Sequence, residues 1–319
     1  MRLSIIIPLL SESVSVERCL AAALRAVGPD CELILVDGGL SGIATRMVER
    51  SPERRDKVVL LRCTEQRRFW TLMRMGVERA RGRYILFASI HEWIEPANIP
   101  LLVDETEALG ADALQARKMR KIRRLSVKEQ QPQLPLHEAV DGDMLREMAG
   151  LSGEERLITP CYTDKIWRKD LLAEALRLDF TGSWGTGEIL NFHYFRFARS
   201  VAFTDTVVAN SRWSAANNTY SYRRLEDVRR VYEVKMLVMQ GAAEGLTLEL
   251  RAHLVEYIRC LIFRLGWTRE AVLFYLRPQL ADRFWLNAGI DSPLEDLVDE
   301  AMRNHKKNSF KNLLKLLTV

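Results

Sequence analysis

This sequence lacks the features that mark several large classes of protein. It has no apolar run of the roughly 18 residues that a membrane-spanning helix needs, and residues 1–10 do not have the layout of a signal peptide. Its 5 cysteines are scattered and include no Cys-x-x-Cys pair. Together these absences favour a cytoplasmic protein whose thiols are reduced and buried.

Two signatures of nucleotide-binding and nucleic-acid-binding proteins are also missing. Asp37-Gly38-Gly39 follows a predicted strand, but no Gly-x-Gly-x-x-Gly spacing occurs there, which argues against a nicotinamide enzyme. No RNA-binding motif accompanies the basic residues, so nucleic acid is not an expected partner. The net charge of +5 and the pI of about 9.0 favour another anionic partner, such as a nucleotide, a phospholipid surface or a phosphorylated glycan.

Short apolar runs alternate with amphipathic segments along the first part of the chain. Strands are predicted over Leu3–Ile7, where Pro8 ends the strand, over Glu32–Val36 and Lys57–Leu61, and from Tyr84 onward. The segments between them have apolar residues at helical spacing. This alternation predicts an α/β fold with a doubly wound, mostly parallel sheet flanked by helices.

Further elements and a change of pattern follow. Strands are predicted over Ala111–Ala116 and Val201–Ala209, and helices over 141–150, 164–178 and Glu188–Arg199. From about Tyr222 the pattern is helical to the end, which predicts two regions, 1–220 and 221–319. The last segment aligns Phe310, Leu313, Leu314 and Leu317 among lysines. It either lies on an anionic membrane surface or packs on its own core or on a second subunit.

The strand that begins at Tyr84 ends in a polar cluster. Ser89, His91 and Glu92 follow it directly, and Pro96 then marks a loop and a new helix. Ligands in open α/β sheets bind outside the carboxyl ends of strands, so chemistry is expected at this cluster. The basic run of 117–128 is either a solvated surface or a face that contacts phosphate.

Several segments together resemble family 2 glycosyltransferases, which have the GT-A fold. The resemblance covers roughly residues 1–220, and the segments occur in the family's order and spacing. They are Ser4–Pro8, Glu32–Gly39, Ala80–Phe87, Trp93–Pro96, Asp164–Leu172 and Gly187–Phe192.

The resemblance implies an inverting transferase with a nucleotide-sugar donor, UDP-linked or other, and a glycan or lipid-linked acceptor. It implies nucleotide contacts from Pro8, Asp37, Arg74 and Ser89. Asp37 has an alternative role as the turn-forming residue before Gly38. The resemblance also implies a divalent metal, Mn or Mg, which neutralises the departing diphosphate.

The sequence departs from the family pattern at the positions that matter most for chemistry. The Asp-x-Asp that binds metal is replaced by Ser89-Ile90-His91, which leaves His91 and Glu92 as candidate metal ligands. Ile189 occupies the position of the catalytic aspartate, so the neighbouring Glu188 becomes the candidate base. Alternatively, basic side chains such as Arg74 neutralise the diphosphate without metal.

Two functions follow from these departures. The first is a divergent, active glycosyltransferase of polysaccharide biosynthesis, in which residues 1–220 bind the nucleotide sugar. The second is a catalytically silent relative that binds a nucleotide, a glycan or a partner enzyme. The helical region 221–319 is expected to mediate self-association or contact with the inner face of a membrane.

Overall fold

The structure is a computed structural model that describes most of the chain. Contacts divide it into two units, Met1–Asn217 and Asn218–Val319. The described residues are 1–10, 16–39, 42, 45–46, 49, 56–63, 68–122, 125–128, 136–141, 158–178, 180, 185–212, 225–238, 243–263, 265–288, 290 and 293–303. The predicted helix over 141–150 and the C-terminal apolar stripe lie outside them.

The first unit begins with the predicted alternation of strands and helices. The elements are β1 (Leu3–Leu9), α1 (Val16–Ala26), β2 (Cys31–Asp37), β3 (Val58–Arg62), α2 (Phe69–Arg79) and β4 (Tyr84–Phe87). β1 pairs in parallel with β2 and β4, and β2 pairs in parallel with β3. Every residue of β1, β2 and β4 is buried, as expected for strands covered on both faces.

The prediction that Pro8 ends the first strand is wrong, because β1 continues to Leu9. Pro8 lies opposite Val36 of β2, whereas the pairing of β1 with β4 stops at Ile6. The missing amide hydrogen of Pro8 therefore leaves no gap in the β1–β4 pairing, and the strand tolerates the proline.

The second part of this unit adds strands that pair in parallel and antiparallel orientation. Its elements are β5 (Glu92–Ile94), α3 (Ile99–Ala108), β6 (Ala113–Ile122), β7 (Leu125–Lys128), β8 (Ala139–Asp141), β9 (Lys165–Arg168), α4 (Lys169–Ala175), α5 (Thr186–Tyr194) and β10 (Ser200–Arg212). The described strands form a 10-stranded sheet in the order β3-β2-β1-β4-β9-β6-β10-β5, with β7 on β6 and β8 on β10.

The sheet is mixed because β9 runs against both of its neighbours. β9 is antiparallel to β4 and to β6, whereas β6 and β10 are parallel. A single helix was predicted over 164–178, and this is wrong for its first part. Trp167 is fully buried between neighbouring strands, and the helix starts only at Lys169. Tertiary pairing overrides local helical spacing here.

The second unit is helical in its described part. It contains α6 (Leu225–Val238), α7 (Ala243–Phe263), α8 (Arg269–Leu280), α9 (Arg283–Asn287) and α10 (294–303). α6 and α7 are joined by a buried ion pair, in which Lys235 Nζ donates to Glu249 Oε2 at 2.8 Å. None of the helices in the described ranges combines the length and the apolar character needed to cross a bilayer.

Candidate active site

Asp37 ends β2 at the carboxyl edge of the sheet and is nearly buried, with 6% of its surface exposed. Its Oδ1 accepts a hydrogen bond of 2.8 Å from the amide of Gly39. Its backbone oxygen accepts another from the amide of Cys63. A Cβ atom at Gly38 would lie 2.9 Å from Leu72 Cδ1 and 3.2 Å from the backbone oxygen of Leu9, so a side chain there would crowd the turn. The turn-forming role of Asp37 is therefore visible in the structure.

Ser89 and His91 form the turn between β4 and β5. The amide of His91 donates to Ser89 Oγ at 3.3 Å, and the Ser89 side chain also hydrogen-bonds Tyr162. The His91 side chain is exposed. β1 lies between β2 and β4, so Ser89 follows a strand about 10 Å from the strand that ends at Asp37.

Glu92, the first residue of β5, is held by two partners. Its Oε1 accepts a short hydrogen bond from the ammonium of Lys118, which lies on β6. Its Oε2 accepts a hydrogen bond of 2.7 Å from the hydroxyl of Thr163. The same ammonium donates to Cys161 Sγ and to Thr163 Oγ1, each at 3.3 Å. Only 5% of the Lys118 side chain and 16% of the Glu92 side chain are exposed.

The segment 158–164 brings Cys161 and Thr163 to this ion pair. Lys165 fixes the segment by hydrogen bonds. Its Nζ donates to the backbone oxygens of Thr159 and Cys161 at 2.9 and 2.7 Å, and to Asp164 Oδ1 at 2.8 Å. Both Lys165 and Asp164 are buried, and burial lowers the pKa of Lys165 although Asp164 opposes this shift. The segment is therefore fixed by a buried charge.

Tyr162 connects the same segment to the end of β4. Its ring packs against Phe87 and Phe69, at centroid distances of 6.0 and 5.4 Å. Burial raises the pKa of its hydroxyl far above the ordinary value. The segment 158–164 therefore covers the carboxyl end of β4.

α5 lies against the other side of the segment and positions Glu188. Gly185, with φ of 76°, turns the chain into the helix, and Glu188 stands in its first turn with 8% of its surface exposed. The neighbouring Ile189 is fully buried in the core. A Cβ atom at Gly187 would lie 2.3 Å from the backbone oxygen of Pro160, so the helix and the segment are in direct contact.

Comparison of the sequence with protein families identifies the domain that carries these residues. Residues 4–159 match the model described as Glycosyl transferase family 2. This part of the chain is a family 2 glycosyltransferase domain. No curated protein matches the sequence significantly.

Solved structures extend the structural likeness from this domain to most of the chain. S. aureus TarS 1-349 in complex with UDP-GlcNAc is 17% identical, with a TM-score of 0.57 over 90% of this chain and 79% of that one. The same fragment with UDP is 15% identical, with a TM-score of 0.53 over 97% and 92%. Complete TarS is 15% identical, with a TM-score of 0.54 over 97% of this chain and 54% of that one. At this identity the likeness establishes a shared GT-A fold.

The expected metal site does not fit the residues that this domain has at the turn. Both carboxylate oxygens of Glu92 are already paired, and Ser89 is engaged in its own turn. Within the described ranges, no group of three or more His, Cys, Asp or Glu side chains is placed to hold a metal ion. Mn and Mg prefer several oxygen ligands, and the turn offers none from a carboxylate that lacks a partner.

The other predicted nucleotide contacts are placed less centrally. Pro8 is buried within β1. Arg74 lies on α2, where its Nε is 3.9 Å from Glu78 Oε1, one helical turn away. This ion pair keeps Arg74 on its own helix and does not bring it to Glu92. Arg74 therefore remains a predicted contact.

Sequence reasoning missed Thr163 and the ion-pair role of Lys118. Lys118 belongs to the predicted basic run, but it alone among Arg117, Lys118, Arg120 and Lys121 is buried. β6 continues past the predicted end at Ala116 to Ile122, which places Lys118 in a strand, and a buried lysine there requires a carboxylate partner. Nothing in the sequence indicates that Glu92, 26 positions earlier, is that partner.

Proposed function

We propose that this chain is an inverting glycosyltransferase that transfers a sugar from a UDP-linked donor to a hydroxyl group of a glycan or lipid-linked acceptor. The supporting observation is the fold, which is shared with TarS in its complex with UDP-GlcNAc over 90% of this chain. The chain's own residues add a polar cluster at the carboxyl ends of β2 and β4, where ligands bind in open α/β sheets.

The proposed roles follow the positions of the side chains. Asp37 contacts the nucleotide base, and the turn of Ser89 and His91 lies beside the diphosphate. Glu188 accepts the proton of the acceptor hydroxyl. The acceptor's oxygen attacks the anomeric carbon of the donor sugar at the same time, and the nucleoside diphosphate departs. The contact of α5 with the segment 158–164 holds Glu188 in place for this step.

A second candidate function is a silent relative that binds the nucleotide or glycan without turnover. The observation that favours it is the burial of Ile189, which occupies the position of the catalytic aspartate and cannot accept a proton. Adjacent residues on a helix point about 100° apart, so Glu188 cannot take the direction of Ile189 without a shift of the helix.

Calorimetric titration with UDP, GDP and CDP, each in EDTA and in Mn²⁺, tests the proposal, followed by donor hydrolysis and transfer assays. Preferential binding of UDP together with turnover supports the glycosyltransferase. Binding without hydrolysis or transfer supports the silent relative. If no nucleotide binds under any of these conditions, the glycosyltransferase is excluded and a silent relative remains only as a protein that binds a glycan or a partner enzyme.

We also propose that the helical region 221–319 mediates self-association or contact with an anionic membrane surface. Light scattering after size-exclusion chromatography tests the first role, and flotation with vesicles containing anionic lipid tests the second. A monomer that does not float with vesicles would contradict both.

A further inference from the structure

Glu92 and its neighbours Lys118, Cys161 and Thr163 form the Glu92 cluster. Their contacts bear on whether a metal ion can bind beside the donor, an inference that rests on the proposed function. Oε1 of Glu92 faces the Lys118 ammonium, and Oε2 faces the Thr163 hydroxyl. A metal ion would have to displace one of these partners to reach the carboxylate.

Displacement of Lys118 is unfavourable because the ammonium is fixed by more than the ion pair. Cys161 Sγ and Thr163 Oγ1 each lie 3.3 Å from Nζ, and the side chain is 95% buried. Removing one partner of a buried ion pair leaves an uncompensated charge, which costs far more than the pair gains. The cluster therefore retains its lysine.

The local charge balance points the same way. In the family pattern a divalent cation is balanced by the two aspartates of Asp-x-Asp. Here Ser89 and His91 supply no carboxylate, and the charge of Glu92 is balanced by Lys118. A divalent cation held at this turn by the protein alone would add two positive charges close to a fixed ammonium, with no carboxylate left to balance them, and such charges repel strongly where water is excluded.

The position of the cluster also matters, because it lies where the family pattern expects a metal. Thr163 belongs to the segment that covers the carboxyl end of β4, through the packing of Tyr162 on Phe87. The ion pair of Glu92 and Lys118 is therefore built into the sheet edge at which the donor is expected. Its ammonium donates to Glu92, Cys161 and Thr163 within the cluster, so the pair is closed to a metal ion.

We infer that this glycosyltransferase binds its nucleoside diphosphate without a divalent cation, because the Lys118 ammonium already holds the Glu92 carboxylate that a metal ion would need.

Calorimetry on the full chain tests the inference, with UDP and Mn²⁺ as the probes. For the wild type we expect the Kd for UDP to differ by less than about twofold between EDTA and Mn²⁺, whereas a metal-dependent site would change it by tenfold or more, about 1.4 kcal/mol. We expect titration with Mn²⁺ alone to show no stoichiometric binding.

Variants separate the roles of the two charges. Lys118→Met leaves the Glu92 carboxylate without its ammonium, so titration with Mn²⁺ alone is expected to show one-site binding that the wild type lacks. The double variant Glu92→Gln/Lys118→Met removes both charges, which avoids an unpaired buried carboxylate if the single variant does not fold. It is expected to show no Mn²⁺ binding, like the wild type.

Lys57→Met is the matched control, because it removes the same charge immediately before β3, at the opposite end of the parallel strands. UDP binding that requires Mn²⁺ in the wild type would overturn the inference and leave the proposed function intact. Stoichiometric Mn²⁺ binding by the wild type, or its absence in folded Lys118→Met, would also overturn it. Absence of UDP binding with and without Mn²⁺ would instead overturn the proposed function.

Discussion

The side-chain amide of Asn191 donates a hydrogen bond of 2.8 Å to the backbone oxygen of Thr159. Lys165 Nζ donates to the same oxygen at 2.9 Å. Because Asn191 and Glu188 are both on α5, these two bonds link the candidate base to the segment that reaches Glu92. The helix start and the segment 158–164 therefore form one rigid unit.

Gly187→Ala tests this unit. The added Cβ atom would lie 2.3 Å from the backbone oxygen of Pro160, so the helix and the segment must separate. We expect the free energy of unfolding to fall by about 1–3 kcal/mol, as for other overpacked sites, and turnover to fall with it. Gly28→Ala is the control, because a Cβ atom there would have no neighbour within 4 Å. Equal urea denaturation curves for the two variants would contradict the prediction.

Glu188→Gln tests the proton acceptor. The amide has nearly the same shape but cannot accept a proton, so we expect kcat to fall by about 10²–10⁴-fold while UDP affinity is retained. Glu174→Gln is the matched control. Glu174 lies on α4, where its Oε2 is 2.9 Å from Nη1 of the exposed Arg177, and it has no proposed role in catalysis. Steady-state transfer assays and calorimetry measure the two quantities. Full turnover in Glu188→Gln would exclude Glu188 as the base.

Asp37 has a visible turn role and a proposed nucleotide role, and two substitutions distinguish them. Asparagine keeps an oxygen that accepts from the Gly39 amide, so Asp37→Asn should change the free energy of unfolding by less than about 0.5 kcal/mol. We expect its UDP affinity to fall about tenfold, since the charged acceptor is lost. Asp37→Ala should lose affinity and also about 1 kcal/mol of stability. Wild-type UDP affinity in Asp37→Asn would leave only the turn role.

His193, in the last turn of α5, predicts a pH dependence of stability. Burial, together with the charge of Arg196, lowers its pKa from the ordinary 6.5 to about 4. Between these two values the unfolded chain binds the proton and the folded chain does not, so stability decreases as the pH falls. The expected loss is up to about 3 kcal/mol over this range. His193→Gln, unfolded by urea at several pH values from 7 to 4, should lack this part of the pH dependence. A parallel pH profile for wild type and variant would contradict it.

The fold was largely predictable where local pattern and burial agree. β1, β2 and β4 are continuous apolar runs, and such runs specify buried strands on their own. β5 and β9 were not predicted as strands, because each has only three or four residues and depends on partners distant in sequence. Ile166 and Trp167 become strand residues only when β4 and β6 are present on both sides.

The contacts of the candidate site were not predictable from the sequence. The carboxyl-end rule led to Ser89, His91 and Glu92, whose functional roles stay predictions. The partners of Glu92, Lys118 and Thr163, are 26 and 71 positions away, and no local pattern encodes such distances. The sequence therefore could not show that both carboxylate oxygens of Glu92 are paired.

The antiparallel strand β9 also determines how the domain must assemble. In the path of described strands, β9 alone joins the β3-β2-β1-β4 group to the β6-β10-β5 group. The nascent chain can therefore complete the first group early, but the two groups become one sheet only after residues 165–168 have been synthesised. The family match ends at residue 159, so a fragment cut at that point would carry the family's sequence signature without the strand that joins the two groups.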